Sequence, residues 1–187
     1  MDKPPAQPKV QAGHTDLITE KPQPSRLRRL WAYRKLLVLA MIVLIADQLS
    51  KQAIVASLPY PTYGAEHGAI TVIGNFFYIV HVGNTGAAWS MFSGQSLLLA
   101  VFALVTLGAI FLWRHALGLQ ETKSQICFGL LCGGILGNVI DRLRYGHVID
   151  FIDLHFGSYA YPSFNVADSG ICIGVLLYLW QSLRTPH

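Results

Sequence analysis

Charge is what this sequence has least of. Only 13% of its 187 residues are charged, against 52% hydrophobic, where an average soluble domain carries about 25% charged residues. That deficit, with long uncharged apolar runs, argues against water as the main solvent and makes lipid the medium in which most of the chain folds. Cysteine is scarce as well. Cys127, Cys132 and Cys172 all fall inside apolar runs. Their odd number and the lack of CxxC or Cys/His spacing argue against a disulfide framework or a metal site. They read as small membrane-core residues. No Gly-rich phosphate loop and no Ser or Cys nucleophile motif is present, and no longer-range internal repeat is evident. The net charge of +4 could suggest nucleic acid, but Arg26, Arg28, Arg29, Arg34 and Lys35 cluster just before the first apolar run. That is where a cytoplasmic topology signal belongs, and no nucleic-acid partner is expected.

Four apolar stretches, at about 36–58, 97–113, 124–140 and 166–183, organise what remains. A helix rises 1.5 Å per residue, so runs of roughly 17–23 residues cross a hydrocarbon core of about 30 Å, the shorter ones barely. The expected organisation is a Pro-rich, basic, disordered cytoplasmic tail at 1–33, a membrane domain at 34–184 and a short tail at 185–187. A cleavable secretory signal is not expected, because the first apolar run begins late and then meets Asp47 and Lys51. The basic residues at the N-terminus, Arg114 with Lys123, and Arg184 predict both termini inside, with 59–95 and 141–165 outside. In the first outer segment, the β-branched and aromatic runs 69–73 and 76–82 flank Gly74-Asn75, a hairpin signal. Residues 148–154 are strand-like too. The fold class is therefore integral membrane and mainly α: a four-transmembrane-helix bundle with a small periplasmic β-layer. In the third span, Gly129, Gly133 and Gly137 recur every four residues, a stripe that lets helix backbones approach closely in lipid.

Ionisable groups in or beside spans are costly unless paired or wet, so they invite a functional reading. Here they gather at one end of the bundle. Asp47 and Lys51 lie one turn apart on the first span. Asn138 shares a face with Asp141 and Arg142 at the outer end of the third. Asp150 sits in a strand-like run between apolar neighbours, with no obvious adjacent cation, and Asn165 and Asp168 open the fourth span. Asn84 precedes the second. Bland alternatives remain at this level: Asp47–Lys51 as an internal ion pair, and Asp168 or Asn165 as a helix cap. A metal site from His147, Asp150, Asp153 and His155 is disfavoured, since on a strand Asp150 faces away from the other three. A small ion-coupled transporter would want its charges spread through the bilayer depth.

At these residues the chain closely resembles the bacterial lipoprotein signal peptidases (signal peptidase II). Five stretches carry the resemblance in order: Asp47-Gln48-Leu49-Ser50-Lys51; Asn84-Thr85-Gly86-Ala87-Ala88-Trp89-Ser90; residues 133–142 through Asn138, Asp141 and Arg142; Gly146-His147-Val148-Ile149-Asp150-Phe151; and Phe164-Asn165-Val166-Ala167-Asp168-Ser169. It covers about residues 34–184 and not the N-terminal tail. The resemblance implies an aspartyl membrane protease of the bacterial inner membrane, with Asp150 and Asp168 as catalytic aspartates near the periplasmic face. It implies Asn84, Asn138, Arg142 and Asn165 around the site, with Asp47, Lys51, Asp141 and Gly86 in support. The implied substrate is a diacylglyceryl-modified prolipoprotein, cleaved on the N-terminal side of its lipidated cysteine. No cofactor and no metal are implied, membrane lipid is the expected surrounding partner, and a monomer is expected.

Overall fold

The computed structural model describes residues 31–184, so the expected tail up to residue 30 and the last three residues lie outside the described part. Among the described residues there are four α-helices: α1 (Arg34–Ser57), α2 (Ser96–Leu112), α3 (Thr122–Tyr145) and α4 (Val166–Arg184). Of these, α1, α3 and α4 are long and apolar enough to cross a membrane, while α2 is a shorter apolar helix of 17 residues. Their outward faces are apolar: Ile42 and Leu49 on α1, Phe102 and Val105 on α2, and Leu176 and Trp180 on α4 are all exposed. Lipid rather than water accommodates such faces.

Helix α3 is the centre, packed against α1, α4 and α2. Small residues make this possible. A Cβ at Gly133 would fall 2.6 Å from the Ala40 carbonyl oxygen and 2.8 Å from Val43 Cβ, so α1 lies directly on the glycine stripe. The helix also outlasts its apolar run. It continues through Asp141, Arg142 and Arg144 to Tyr145, and stops where Gly146 adopts φ 76° and donates to the Arg142 carbonyl at 3.1 Å. The apolar stretch marks the lipid-compatible part, whereas the helix ends at the first residue that tolerates the left-handed cap.

Between the helices the chain builds an antiparallel sheet in sequence order: β1 (Ile70–Ile73), β2 (Phe77–Asn84), β3 (Val148–Phe156) and β4 (Tyr159–Ala160). The β1–β2 turn falls at Gly74-Asn75, with Asn75 at φ 61°, as the hairpin signal predicts. The mainly helical architecture with a small antiparallel sheet is the one the sequence leads one to expect. On its far side β3 is flanked by residues before α4: Phe164 exchanges hydrogen bonds with Ile152 at 2.9 and 3.0 Å. That pairing brings the start of α4 against the middle of β3.

Candidate active site

The site begins with a buried cation. Lys51 is fully buried, and its Nζ lies 2.8 Å from Asp47 Oδ2, 2.7 Å from Asp141 Oδ2 and 3.0 Å from Asn138 Oδ1. An ammonium has three donors, and all three are used. Without such partners a buried charge would cost several kcal/mol. Gln48 completes the cluster, with Nε2 at 3.0 Å from Asp141 Oδ1, 3.2 Å from Asp47 Oδ2 and 3.3 Å from the Gly137 carbonyl. Asp47 also reaches across to α4, where its Oδ1 accepts the Ala167 amide at 2.9 Å. Asp141 accepts the Ile149 amide at 3.2 Å, tying the start of β3 to the end of α3.

The N-terminus of α4 closes on itself. Asn165 Oδ1 accepts the Asp168 amide at 2.9 Å, while Asp168 Oδ2 accepts the Asn165 amide at 3.2 Å. This is a reciprocal capping box, with Asp in the place usually held by Glu or Gln. The remaining oxygen of Asp168, Oδ1, accepts Asn138 Nδ2 at 2.7 Å. Capping and site-building are thus one arrangement, not alternatives for Asp168.

Asp150 lies in β3, buried, and receives two amides. Asn165 Nδ2 donates to its Oδ1 at 2.8 Å and Asn84 Nδ2 to its Oδ2 at 3.1 Å. The Asn84 contact depends on an irregularity in β2. Phe77, Tyr78 and Ile79 pair with Leu154, Asp153 and Ile152, but Val82, Gly83 and Asn84 pair with Asp150, Ile149 and Val148. One extra residue on β2 is absorbed between the two runs. Without that bulge Asn84 would stand opposite His147 and face away from Asp150, because a one-residue slip exchanges the faces of a strand. Burial first, and then the charge of Asp168, pushes the Asp150 carboxyl from 3.8 up to about 7. The Asn84 and Asn165 amides and the charge of Lys51 hold it from rising further.

Arg142 frames the other side. Its Nη2 donates to the Gly86 carbonyl at 2.8 Å and its Nη1 to the Asn138 carbonyl at 3.4 Å, while the buried Nε has no partner among the described residues. Gly86 in turn donates its amide to Asn84 Oδ1 at 2.9 Å, fixing the Asn84 side chain so that its Nδ2 points at Asp150.

All ten residues singled out from the sequence, Asp47, Lys51, Asn84, Gly86, Asn138, Asp141, Arg142, Asp150, Asn165 and Asp168, belong to this one connected network. Two contributors were not among them. Gln48 carries a polar side chain inside a span, a signal of the same kind as its neighbour Asp47. Gly83 leaves room for Tyr60 and His147, whose rings stack 5.5 Å apart beside β2; a Cβ there would fall 2.6 Å from Tyr60 Oη. Nothing in the local sequence announces that contact. Of the histidines near Asp150, His155 pairs with Asp153 at 2.8 Å, and among the described residues no three or more His, Cys, Asp or Glu are arranged so that they could hold a metal ion.

The comparison with known proteins bears on the same residues. A family model described as signal peptidase (SPase) II matches residues 39–184. The lipoprotein signal peptidase of Burkholderia vietnamiensis is 42% identical over 152 residues, covering 78% of this chain and 86% of that protein. The lipoprotein signal peptidase of Syntrophotalea carbinolica is 38% identical over 162 residues, covering 83% and 95%. Two solved structures, both described as bacterial membrane enzymes determined by the in meso method, superpose with TM-scores of 0.71 and 0.69 at 32% identity, covering 80% and 81% of this chain. The matched segment contains every residue of the network, and the helical fold with its small sheet is shared; the chain belongs to the signal peptidase II family.

Proposed function

We propose that the chain is an aspartyl endopeptidase of the bacterial inner membrane. It removes the signal peptide from diacylglyceryl-modified prolipoproteins on the N-terminal side of the lipidated cysteine. The observation that carries the reading is the Asn165 bridge: one residue donates to Asp150 through its side chain and to Asp168 through its backbone. Two carboxylates from different elements are thereby held to one point at the end of the bundle.

Two such groups in proximity cannot both ionise cheaply, so they share a proton. With its carboxyl raised to about 7, Asp150 is the partner that holds the proton at rest. Asp168, ionised, then takes a proton from water as it attacks the scissile carbonyl. Asp150 donates to the developing tetrahedral oxygen or the leaving amine, and the pair titrates as a unit. The Asn84 and Asn138 amides, each with a second N–H beyond its carboxylate bond, are the donors for the substrate backbone and for negative charge formed during the reaction.

Four crossings complete the proposal, with α2 as the fourth span and both termini cytoplasmic. The sheet then lies at the periplasmic surface, where the exposed Trp89 and Phe92 rest at the headgroup level as interfacial aromatics do. A diacylglyceryl group stays in the leaflet and an apolar signal peptide spans it, so the scissile bond arrives where the aspartates are. The working unit is a monomer.

The test replaces Asp150 or Asp168 by Asn and assays purified protein on a diacylglyceryl-modified lipobox substrate. Cleavage should fall by on the order of 10³ or more with folding retained, because proton transfer is lost and side-chain shape is not. Turnover near wild type in either variant would sink the aspartyl mechanism.

A further inference from the structure

The bulge in β2 needs an anchor, and a residue outside the network supplies it. In β2, Ile79 lies opposite Ile152 and Val82 opposite Asp150, so Val80 and His81 together face Phe151 alone. A bulge of this kind takes backbone groups off the ladder, and buried ones must find partners elsewhere. His81 is buried, and both its backbone and its ring are placed. On the outer edge β1 reaches only to Ile70, opposite Ile79, and Thr62 takes over beyond it. The His81 carbonyl accepts the Thr62 amide at 2.9 Å, and its amide donates to the Thr62 carbonyl at 3.4 Å. The ring reaches a second element. Its Nδ1 lies 3.0 Å from the carbonyl of Leu58, the buried residue that follows α1. A carbonyl only accepts, so Nδ1 carries the hydrogen. Tyr60 packs its ring against that of His81, centroids 5.2 Å apart, between the two elements.

These contacts pin the bulge to the end of α1, about two turns after Lys51. The same helix holds Asp141 through Lys51, and Asp141 holds the Ile149 amide of β3. Both strands that meet at Asp150 are therefore set against α1, β3 through Asp141 and β2 through His81. We propose that His81 is a positioning residue for peptide cleavage: by anchoring the bulge to α1 it turns Asn84 onto Asp150. A side chain without the Nδ1 donor leaves the Leu58 carbonyl without that bond. It also frees β2 to relax towards the unbulged register, which carries Asn84 off Asp150. The inference rests on the reading in which Asn84 serves cleavage at Asp150 and Asp168.

The test is a double-mutant cycle on the purified full chain, with kcat/KM measured on a diacylglyceryl-modified lipobox substrate and thermal melts taken alongside. His81→Phe keeps a ring and removes the donor. It should lower kcat/KM on the order of 10²-fold, the scale of a misplacement of about 1 Å. Asn84→Ala should lose on the order of 10²-fold or more. The double variant should then fall below Asn84→Ala by no more than about threefold, because both changes remove one interaction. A residue that only stabilises the fold would instead multiply the two losses. His81→Asn, whose amide nitrogen falls where Nδ1 stood, should stay within about fivefold of wild type. If His81→Phe does not fold, His81→Gln decides. Its amide falls at the Nε2 position, so it should lose at least about tenfold where His81→Asn does not. Near-normal cleavage by His81→Phe, or by His81→Gln in its stead, would overturn the inference. So would losses that multiply in the double variant, or a His81→Asn as slow as His81→Phe. With Asp150→Asn inactive, such results strike the role of His81 alone; with Asp150→Asn active as well, the aspartyl reading falls too.

Discussion

Asn165 concentrates several tasks in one side chain. Its Oδ1 caps α4 and its Nδ2 holds Asp150, and the two can be separated by substitution. Asp is as good a cap as Asn, whereas Ala loses about 1 kcal/mol. Asn165→Ala should lose the cap alone, whereas Asn165→Asp keeps the cap but sets a second buried carboxylate against Asp150 and the Ile149 carbonyl, and should melt lower still at neutral pH. It should also cleave on the order of 10²-fold more slowly, because an oxygen then faces Asp150 where a donor stood. Equal melting of the two variants, or near-normal cleavage by Asn165→Asp, would refute that division. The Asp150 carboxyl carries a second prediction. Its value rises from 3.8 to about 7 on folding, so between those values the folded chain binds more protons than the unfolded one. Stability must then fall as pH rises from about 4 to about 7. Asp150→Asn should flatten that slope and melt higher than wild type at pH 8, while wild-type cleavage should decline above about pH 7 as the acid is lost. A melt series showing the same slope in both proteins would contradict this.

Among the elements, α3 meets α1 through its glycines. At Gly137 a Cβ would collide with the Asp47 carboxylate, the group that binds Lys51 and the Ala167 amide. Gly137→Ala should thus cost on the order of 1–3 kcal/mol in overpacking and lower cleavage at least about tenfold, read by thermal melts and turnover. An unchanged melting temperature would mean that the stripe is only incidental to the site. The glycine stripe was legible in the sequence because its period is helical, and so were the hairpin at Gly74-Asn75 and the strand nature of β3. The bulge in β2 was not. Neither Val80 nor His81 carries a bulge signature, and the extra residue shows only once Asn84 is seen opposite Val148. The merging of cap and site at Asp168 was hidden for a related reason. A carboxylate three residues after an Asn predicts the box, but which further groups its free oxygen meets is decided by α3, 30 residues away.

For the whole molecule, the two ends of the bundle differ in their number of cations, and the proposed orientation rests on that difference. Arg34, Lys35, Arg114, Lys123 and Arg184 stand at one end, and three of them lie over aromatic rings: Arg34 on Trp31, Arg114 on Phe111 and Arg184 on Trp180. At the other end stand Arg142, bonded to the Gly86 and Asn138 carbonyls, and Arg144, over Tyr145, with Lys51 buried in the network, so five cations near span ends weigh against two. By that excess of cations, the proposed orientation turns the first end to the cytoplasm. Single cysteines report this directly. In a background with Cys127, Cys132 and Cys172 replaced, Glu66→Cys in the turn before β1 should react with an impermeant thiol reagent added to intact spheroplasts. His115→Cys, in the turn after α2, should react only after the membrane is opened. Both sites are exposed, so failure to label reflects sidedness and not burial. The opposite pattern would invert the protein and put the aspartates on the cytoplasmic side. Labelling of both from outside would mean that α2, only 17 residues long, does not cross.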